Sequence, residues 1–245
     1  MFSNSTHNVG IKTKNDASLK ASEICSAGGI QGGGKNFSPA PLTDCPQFTD
    51  PLAGRAEPSV SGCNASKLVL LNQTVTLTPG TYCGGISIMG TSKVTFQSGI
   101  FVIKDGLLDV GGSAQITGAD VGFFFSGQTA ALSFSIDTVI DLAAPKSGDM
   151  AGMLFFGSRS QSGTVYTMNS DHAHQLLGTI YLPEGSIVID ANQPIADLSA
   201  YTAIIAKTVT AYSGPTVTLN ANYDVTDVPV PDGIRGTGQP VRLAR

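Results

Sequence analysis

The densest concentration of reactive side chains in the chain is Asp171-His172-Ala173-His174. On a strand, His172 and His174 share one face and could hold a metal ion or titrate near neutrality, with Asp171 beside them. Two imidazoles do not define a site, and a surface loop ahead of Leu176-Leu177-Gly178 is the simpler account. Asp171, His172 and His174 therefore stand as a weak candidate site, and no metal or other cofactor is expected.

Carboxylates are the next candidates. Asp105 and Asp109 lie four residues apart, as do Asp137 and Asp141, while Asp120, Asp149, Glu184, Asp190 and Asp197 stand singly near expected turns. Sugar-cleaving sites need clustered carboxylates, or Ca²⁺ ligands with a basic residue, on one face. Neither pair has such a neighbourhood, so solvated turns are expected. Gly28-Gly29-Ile30-Gln31-Gly32-Gly33-Gly34 lacks the Lys-Ser/Thr ending and the following helix of a phosphate loop, and reads as a turn-rich connection. Ser126, Ser135 and Ser158 belong to no nucleophile elbow. No catalytic residue is predicted, and the chain is expected not to be an enzyme.

The cysteines carry more information. Cys25, Cys45, Cys63 and Cys83 follow one another at intervals of 20, 18 and 20 residues, without a Cys-x-x-Cys pair or a nearby histidine cluster. That pattern argues against zinc. An even number of cysteines in a weakly charged chain rich in Thr, Ser and Asn predicts disulfides and an oxidising compartment. Four cysteines allow three pairings, and sequence alone does not choose among them. The nearest-neighbour set, Cys25–Cys45 and Cys63–Cys83, is favoured because it closes a proline-rich loop and clips the first regular coil.

These residues must be positioned by β-structure. Of 245 residues, 41% are hydrophobic but only 13% are charged, against roughly 25% in ordinary soluble domains. The net charge is −4 and no Lys/Arg cluster occurs, so nucleic acid is not an expected partner. No apolar run approaches a membrane span. The opening MFSNSTHNVG has neither a basic nor an apolar segment, so no signal peptide is expected there.

Residues 38–62 hold Pro39, Pro41, Pro46, Pro51 and Pro58 and read as an irregular Pro/Cys-rich loop. From Lys67 to about Tyr223, small corner residues lead repeatedly into short apolar strands. Ser98-Gly99-Ile100-Phe101-Val102-Ile103, Val121-Gly122-Phe123-Phe124-Phe125 and Leu177-Gly178-Thr179-Ile180-Tyr181-Leu182 are examples. A period of about 20 residues with no amphipathic helix predicts a right-handed parallel β-helix, one all-β solenoid domain over residues 1–226. Residues 227–245, with three prolines and three arginines, are expected to be an extended or disordered tail. The alternative is an antiparallel β-sandwich, which tight Asp-Gly or Asn-Gly hairpins would favour. Only Asp105-Gly106 lies between strands. Alternating strands such as Thr74-Val75-Thr76-Leu77 predict solvated faces, and Phe123-Phe124-Phe125 predicts one sheet covered on its outer side. Tyr82, Phe101, Phe123, Met153 and Ile180 align as an inward stack. A solenoid that binds ice or another regular surface would need a Thr-x-Thr ladder, and Thr74-Val75-Thr76 does not recur at coil spacing.

The corner-and-strand words also carry a resemblance. Pro79-Gly80-Thr81-Tyr82-Cys83-Gly84-Gly85, Phe101-Val102-Ile103-Lys104-Asp105-Gly106, Gly178-Thr179-Ile180-Tyr181-Leu182-Pro183 and Val228-Pro229-Val230-Pro231 are the clearest. With them the chain, from about residue 20 to 231, resembles the C-terminal β-helical region of TadG-like proteins of the bacterial Tad/Flp pilus-assembly system. The resemblance implies an exported protein of a Gram-negative envelope, in the periplasm or at the cell surface. It implies anchoring through a membrane segment that this chain lacks, and partners among pilus-assembly or other envelope proteins, with surface glycans as a further class. It carries over no catalytic residue. A structural or adhesive module is therefore expected, and a polysaccharide-binding or polysaccharide-degrading β-helix is the rival.

Overall fold

The computed structural model describes residues 1–47 and 49–234. Strands form 50% of the chain and helix 3%, wound as a parallel β-solenoid of about nine turns. Among the described residues every strand pair is parallel, and the one antiparallel contact is an isolated bridge between Tyr201 and Ala221. The sandwich alternative therefore fails, for the reason its turn signals were scarce.

Three sheets run the length of the rod. Face I contains Gly99–Lys104, Val121–Ser126, Met153–Gly157, the middle of His172–Ala191 and the start of Thr202–Ser213. Face II contains the end of Ala65–Leu71, the end of Gly80–Met89, Leu107–Val110, Ala131–Phe134, Val165–Met168 and the ends of the two longest strands. Face III contains Thr74–Leu77, Lys93–Phe96, Gln115–Gly118, Val139–Ala143 and the start of His172–Ala191. Parallel pairing repeats at roughly 4.8 Å per coil.

Coil order in space is not chain order. Thr202–Ser213 pairs with Phe2–Ser3 and Ile11–Thr13, and Thr216–Leu219 pairs with Ser18–Ala21. Those N-terminal strands in turn carry Cys25–Ser26, Ile30–Gln31 and Phe37–Ser38. The first 42 residues thus close the end of the rod that the last coil would otherwise leave open, with Leu42 bridging Cys25. The glycine-rich stretch fits this closure as a turn-rich connection. A Cβ on Gly28 would come within 2.2 Å of the His7 carbonyl, and one on Gly29 within 2.1 Å of the Asn8 carbonyl.

The described residues between Cys45 and Cys63 then run back along face I to the opposite end as a strap. Pro46, Pro51 and Pro58 lack the N–H a strand needs, so the strap lies on the sheet without joining it. It covers an outward column whose members are in register: Val102, Phe124, Phe156, Tyr181 and Ile205. Leu52, Met150 and Met153 complete this second apolar cluster. The doubly apolar Phe123-Phe124-Phe125 run is explained by a core on one side and the strap on the other.

Inside, Tyr82, Phe101, Phe123 and Phe155 form a ladder of rings with centroids 5.5–5.9 Å apart. Ile180 continues the column in register with Phe155. Met153 does not belong to it. A register irregularity between Met153 and Phe155 turns Met153 outward beneath the strap and puts Phe155 in the expected place. Residues 227–234 also differ from the expected tail. Val228 is buried, and the Pro229 carbonyl accepts a hydrogen bond from the Tyr201 hydroxyl at 2.7 Å. Residues 235–245 of that expected tail lie outside the described residues.

Candidate functional site

The clearest polar constellation lies where the strap crosses face I, with Arg159 at its centre. Arg159 follows Phe156 and Gly157 at the end of a face I strand, so its guanidinium is carried over the covered column. It lies 5.2 Å from the Phe156 ring centroid and 5.3 Å from that of Tyr181. Nε donates to the Tyr181 hydroxyl at 3.1 Å, and the two Nη atoms donate to the carbonyls of Arg55 and Leu52. Asp50 and Glu57 stand 3.7 and 3.8 Å from the guanidinium. The Tyr181 hydroxyl donates to Asp50. Glu57 accepts from the Arg159 N–H at 2.7 Å and from Ser158 Oγ at 3.0 Å. One cation thus satisfies strap carbonyls that no sheet partner reaches. Burial, reinforced by the hydrogen bond to Asp50 and its charge, pushes the Tyr181 phenol far above its ordinary range. A second clasp is Arg55, whose Nε donates to the Asp149 carbonyl at 2.9 Å and whose Nη2 donates to that of Ala151 at 3.1 Å.

Beside the Arg159 clasp lies an open groove of about 870 Å³, between the loop at residues 4–7 and the strap. Asp50, Arg159, Glu184 and Lys207 line it with both signs of charge, and Lys207 sits 3.6 Å from Glu184. Sequence reasoning did not find this cluster. The available signal was a lone arginine three residues after the apolar run Met153-Leu154-Phe155-Phe156, in a chain with few charges.

The histidine stretch is brought only partly together. His172 and His174 do share the outward side of face III, with ring centroids 6.4 Å apart. Asp171 turns away to accept from the Asn192 backbone N–H at 2.6 Å and from its side-chain amide at 3.2 Å. His174 pairs with Asp197 at 2.7 Å. Among the described residues no group of three His, Cys, Asp or Glu is placed to hold a metal ion. The carboxylate pairs are separated by the winding. Asp105 occupies a corner with φ of 51°, Asp109 is on face II, Asp137 is in a turn and Asp141 faces outward from face III.

One outward column is more regular than the sequence spacing suggested. Thr76, Thr95 and Thr117 are in register on face III, with the last two hydroxyls 3.4 Å apart. Asp141 ends the column in the next coil.

Both disulfides join the nearest-neighbour cysteines, with Cα–Cα distances of 6.2 Å for Cys25–Cys45 and 5.6 Å for Cys63–Cys83. Cys63–Cys83 clips the first regular coil, as expected. Cys25 sits in the closing N-terminal coils and Cys83 at the start of the regular coils, so the bridges pin the strap at opposite ends of the rod. Two such bridges place the chain in an oxidising, extracellular type of environment. No helix among the described residues is long and apolar enough to cross a membrane.

Fold and site together define a disulfide-pinned, strapped parallel β-solenoid. No protein-family model, curated protein or solved structure matches this chain.

Proposed function

We propose that this chain is a non-catalytic structural or adhesive module of the bacterial envelope, working with a Tad/Flp-type pilus-assembly apparatus. The observation that carries the reading is the division of the rod's surface. Face I is sealed by the strap, whereas faces II and III are solvated sheets bearing mostly short hydroxyl and aliphatic side chains. Ser87, Asp109, Ser133, Thr167, Val188 and Thr210 form one outward column on face II. Such a surface suits broad, shape-based contact with other envelope proteins. The corner-and-strand words, such as Pro79-Gly80-Thr81-Tyr82-Cys83-Gly84-Gly85, supply the Tad/Flp association, and the disulfides favour a periplasmic or surface location. Cross-linking in the native envelope followed by co-purification tests it. Pilus-assembly components should be recovered with the wild-type chain and lost when bulky charges are placed on face II. Recovery of none from intact envelopes would reject the association.

A second reading is favoured by the groove beside Arg159. Its mixed charges and about 870 Å³ of space suit a stretch of polysaccharide. Incubation with uronate polymers, with and without Ca²⁺, distinguishes the two. Saturable binding or release of unsaturated products would favour this reading over the first.

A further inference from the structure

The groove beside the Arg159 clasp is assembled from parts of the chain that lie far apart in sequence. The loop at residues 4–7 forms one wall. It is fixed where Phe2–Ser3 pairs with Ile205 and Ala206, and where Ser3 Oγ donates to the Lys207 carbonyl at 3.2 Å. The strap contributes Asp50, and the long strand His172–Ala191 contributes Tyr181, Pro183 and Glu184.

The two cations and two carboxylates of the groove stand in two pairs. Arg159 lies 3.7 Å from Asp50 and is spent on the strap, since Nε donates to Tyr181 and both Nη atoms donate to strap carbonyls. Lys207 lies 3.6 Å from Glu184, and both side chains are about half exposed. This second pair is a product of the winding. Leu182 is in register with Ala206 and Ser186 with Thr208, so residues 183–185 are set against Lys207 alone. Bulges of this kind re-aim side chains, and here the bulge brings Glu184 beside Lys207. At 3.6 Å the two groups attract without forming a hydrogen bond. The ammonium therefore keeps its donors, and the carboxylate its acceptors, for a third party.

We infer that this groove takes a neutral glycan, with Lys207 and Glu184 holding two adjacent hydroxyls of one sugar ring, an inference that rests on the polysaccharide reading of the site. One hydroxyl accepts from Lys207 while its neighbour donates to Glu184, because a hydroxyl serves in either role. Pro183 and Ile205 offer apolar surface to the ring's C–H groups. The same sugar oxidised to a uronate keeps the diol but adds an acceptor-only charge. That charge would stand near Asp50 and Glu184, with each cation already matched by a carboxylate, so it is selected against. His7 leaves this balance unchanged, because its Nδ1 accepts from the Val9 N–H at 3.1 Å and its remaining nitrogen is a donor.

Titration calorimetry of the full chain tests this with β-1,4-linked glucose and mannose hexamers and with the same hexamers oxidised at C6 to uronates. At pH about 8, where imidazole charge does not enter, at least one neutral hexamer should bind saturably. Its preference over its oxidised counterpart should be at least about 5-fold. Glu184→Gln leaves Lys207 unmatched, so it should weaken the neutral hexamer about 10-fold and tighten the oxidised one. Lys207→Met should weaken the neutral hexamer without that gain, and it keeps the test decisive if Glu184→Gln does not fold. Asp109→Asn, on face II, should change neither. Equal or tighter binding of the oxidised hexamers, or a preference indifferent to Glu184→Gln, would overturn the inference and leave the polysaccharide reading standing. Binding of none of the four hexamers would overturn both.

Discussion

Replacing Arg159 with methionine should release the strap without unfolding the rod. The substitution keeps an unbranched apolar stem over Phe156 and Tyr181 but removes every donor. Three hydrogen bonds disappear, to Tyr181, Leu52 and Arg55, together with the contacts to Asp50 and Glu57. Hydrogen bonds to charged groups contribute about 1.5–3 kcal/mol each. Much of that returns when the carbonyls and carboxylates reach water, and the ion pairs are long and about a quarter to a third exposed, so they are discounted for screening. A net local loss of about 2–3 kcal/mol remains. The amides of Ala53 and Arg55, bonded to Asp50 and Leu52, should then exchange their hydrogens roughly 30- to 150-fold faster. Amides within the aromatic ladder strands should keep their rates, since both disulfides still hold the strap's ends. A change at Ala53 and Arg55 of less than about 3-fold would refute the assignment of Arg159 as the clasp.

Phe101→Ala should cost about 3–5 kcal/mol in urea unfolding, because its fully buried ring stacks between Tyr82 and Phe123; a loss under about 1 kcal/mol would mean that the cavity collapses. Each disulfide closes a sequence separation of 20 residues, so replacing either pair with serines should cost about 3 kcal/mol by chain entropy; an unchanged denaturation midpoint would contradict this. Burial holds the Tyr166 and Tyr181 phenols far above their ordinary value, so the folded state binds those protons more tightly than the unfolded state. Their stabilising contribution is complete below pH about 10 and is lost as the pH rises beyond it. Ultraviolet titration should show both phenols un-ionised at pH about 11 until the protein unfolds; stability that rises between pH about 10 and 12 would give the wrong sign.

The winding was legible because its causes are local. Gly84 and Gly85 turn a corner at φ of 71° and 86°, and Gly106 of the next coil approaches so closely that an added Cβ would lie 2.2 Å from Gly84. Corners of this kind repeat in the sequence, and so does the alternation of strands such as Thr74–Leu77. The covered face was legible too, since Phe123-Phe124-Phe125 leaves no polar side. What escaped was non-local. Nothing in Phe2–Ser3 or Ile11–Thr13 states that their partners are Ile205 and Val209. The Cys63–Cys83 spacing equals that of Cys25–Cys45, although the two bridges lie at opposite ends. Met153 escaped because one irregularity in pairing exchanges inner and outer sides. The Arg159 cluster escaped because Asp50 and Glu57 reach it from over 100 residues away in sequence.

The displaced coil order imposes a schedule on folding. Residues 65 to 219 can wind progressively, each new coil laying down on the previous one. The first 42 residues emerge earlier, but their template is the last coil made, some 200 residues later. Contacts of such sequence separation form late and slowly. The segment therefore lacks its docking template until the rod is wound, although its own strands can pair with one another. Cys25–Cys45 can close within the waiting segment, because both cysteines lie inside it or at its edge. The final act is the docking of this oldest segment onto the newest coil, which draws the strap down over face I and locks the fold.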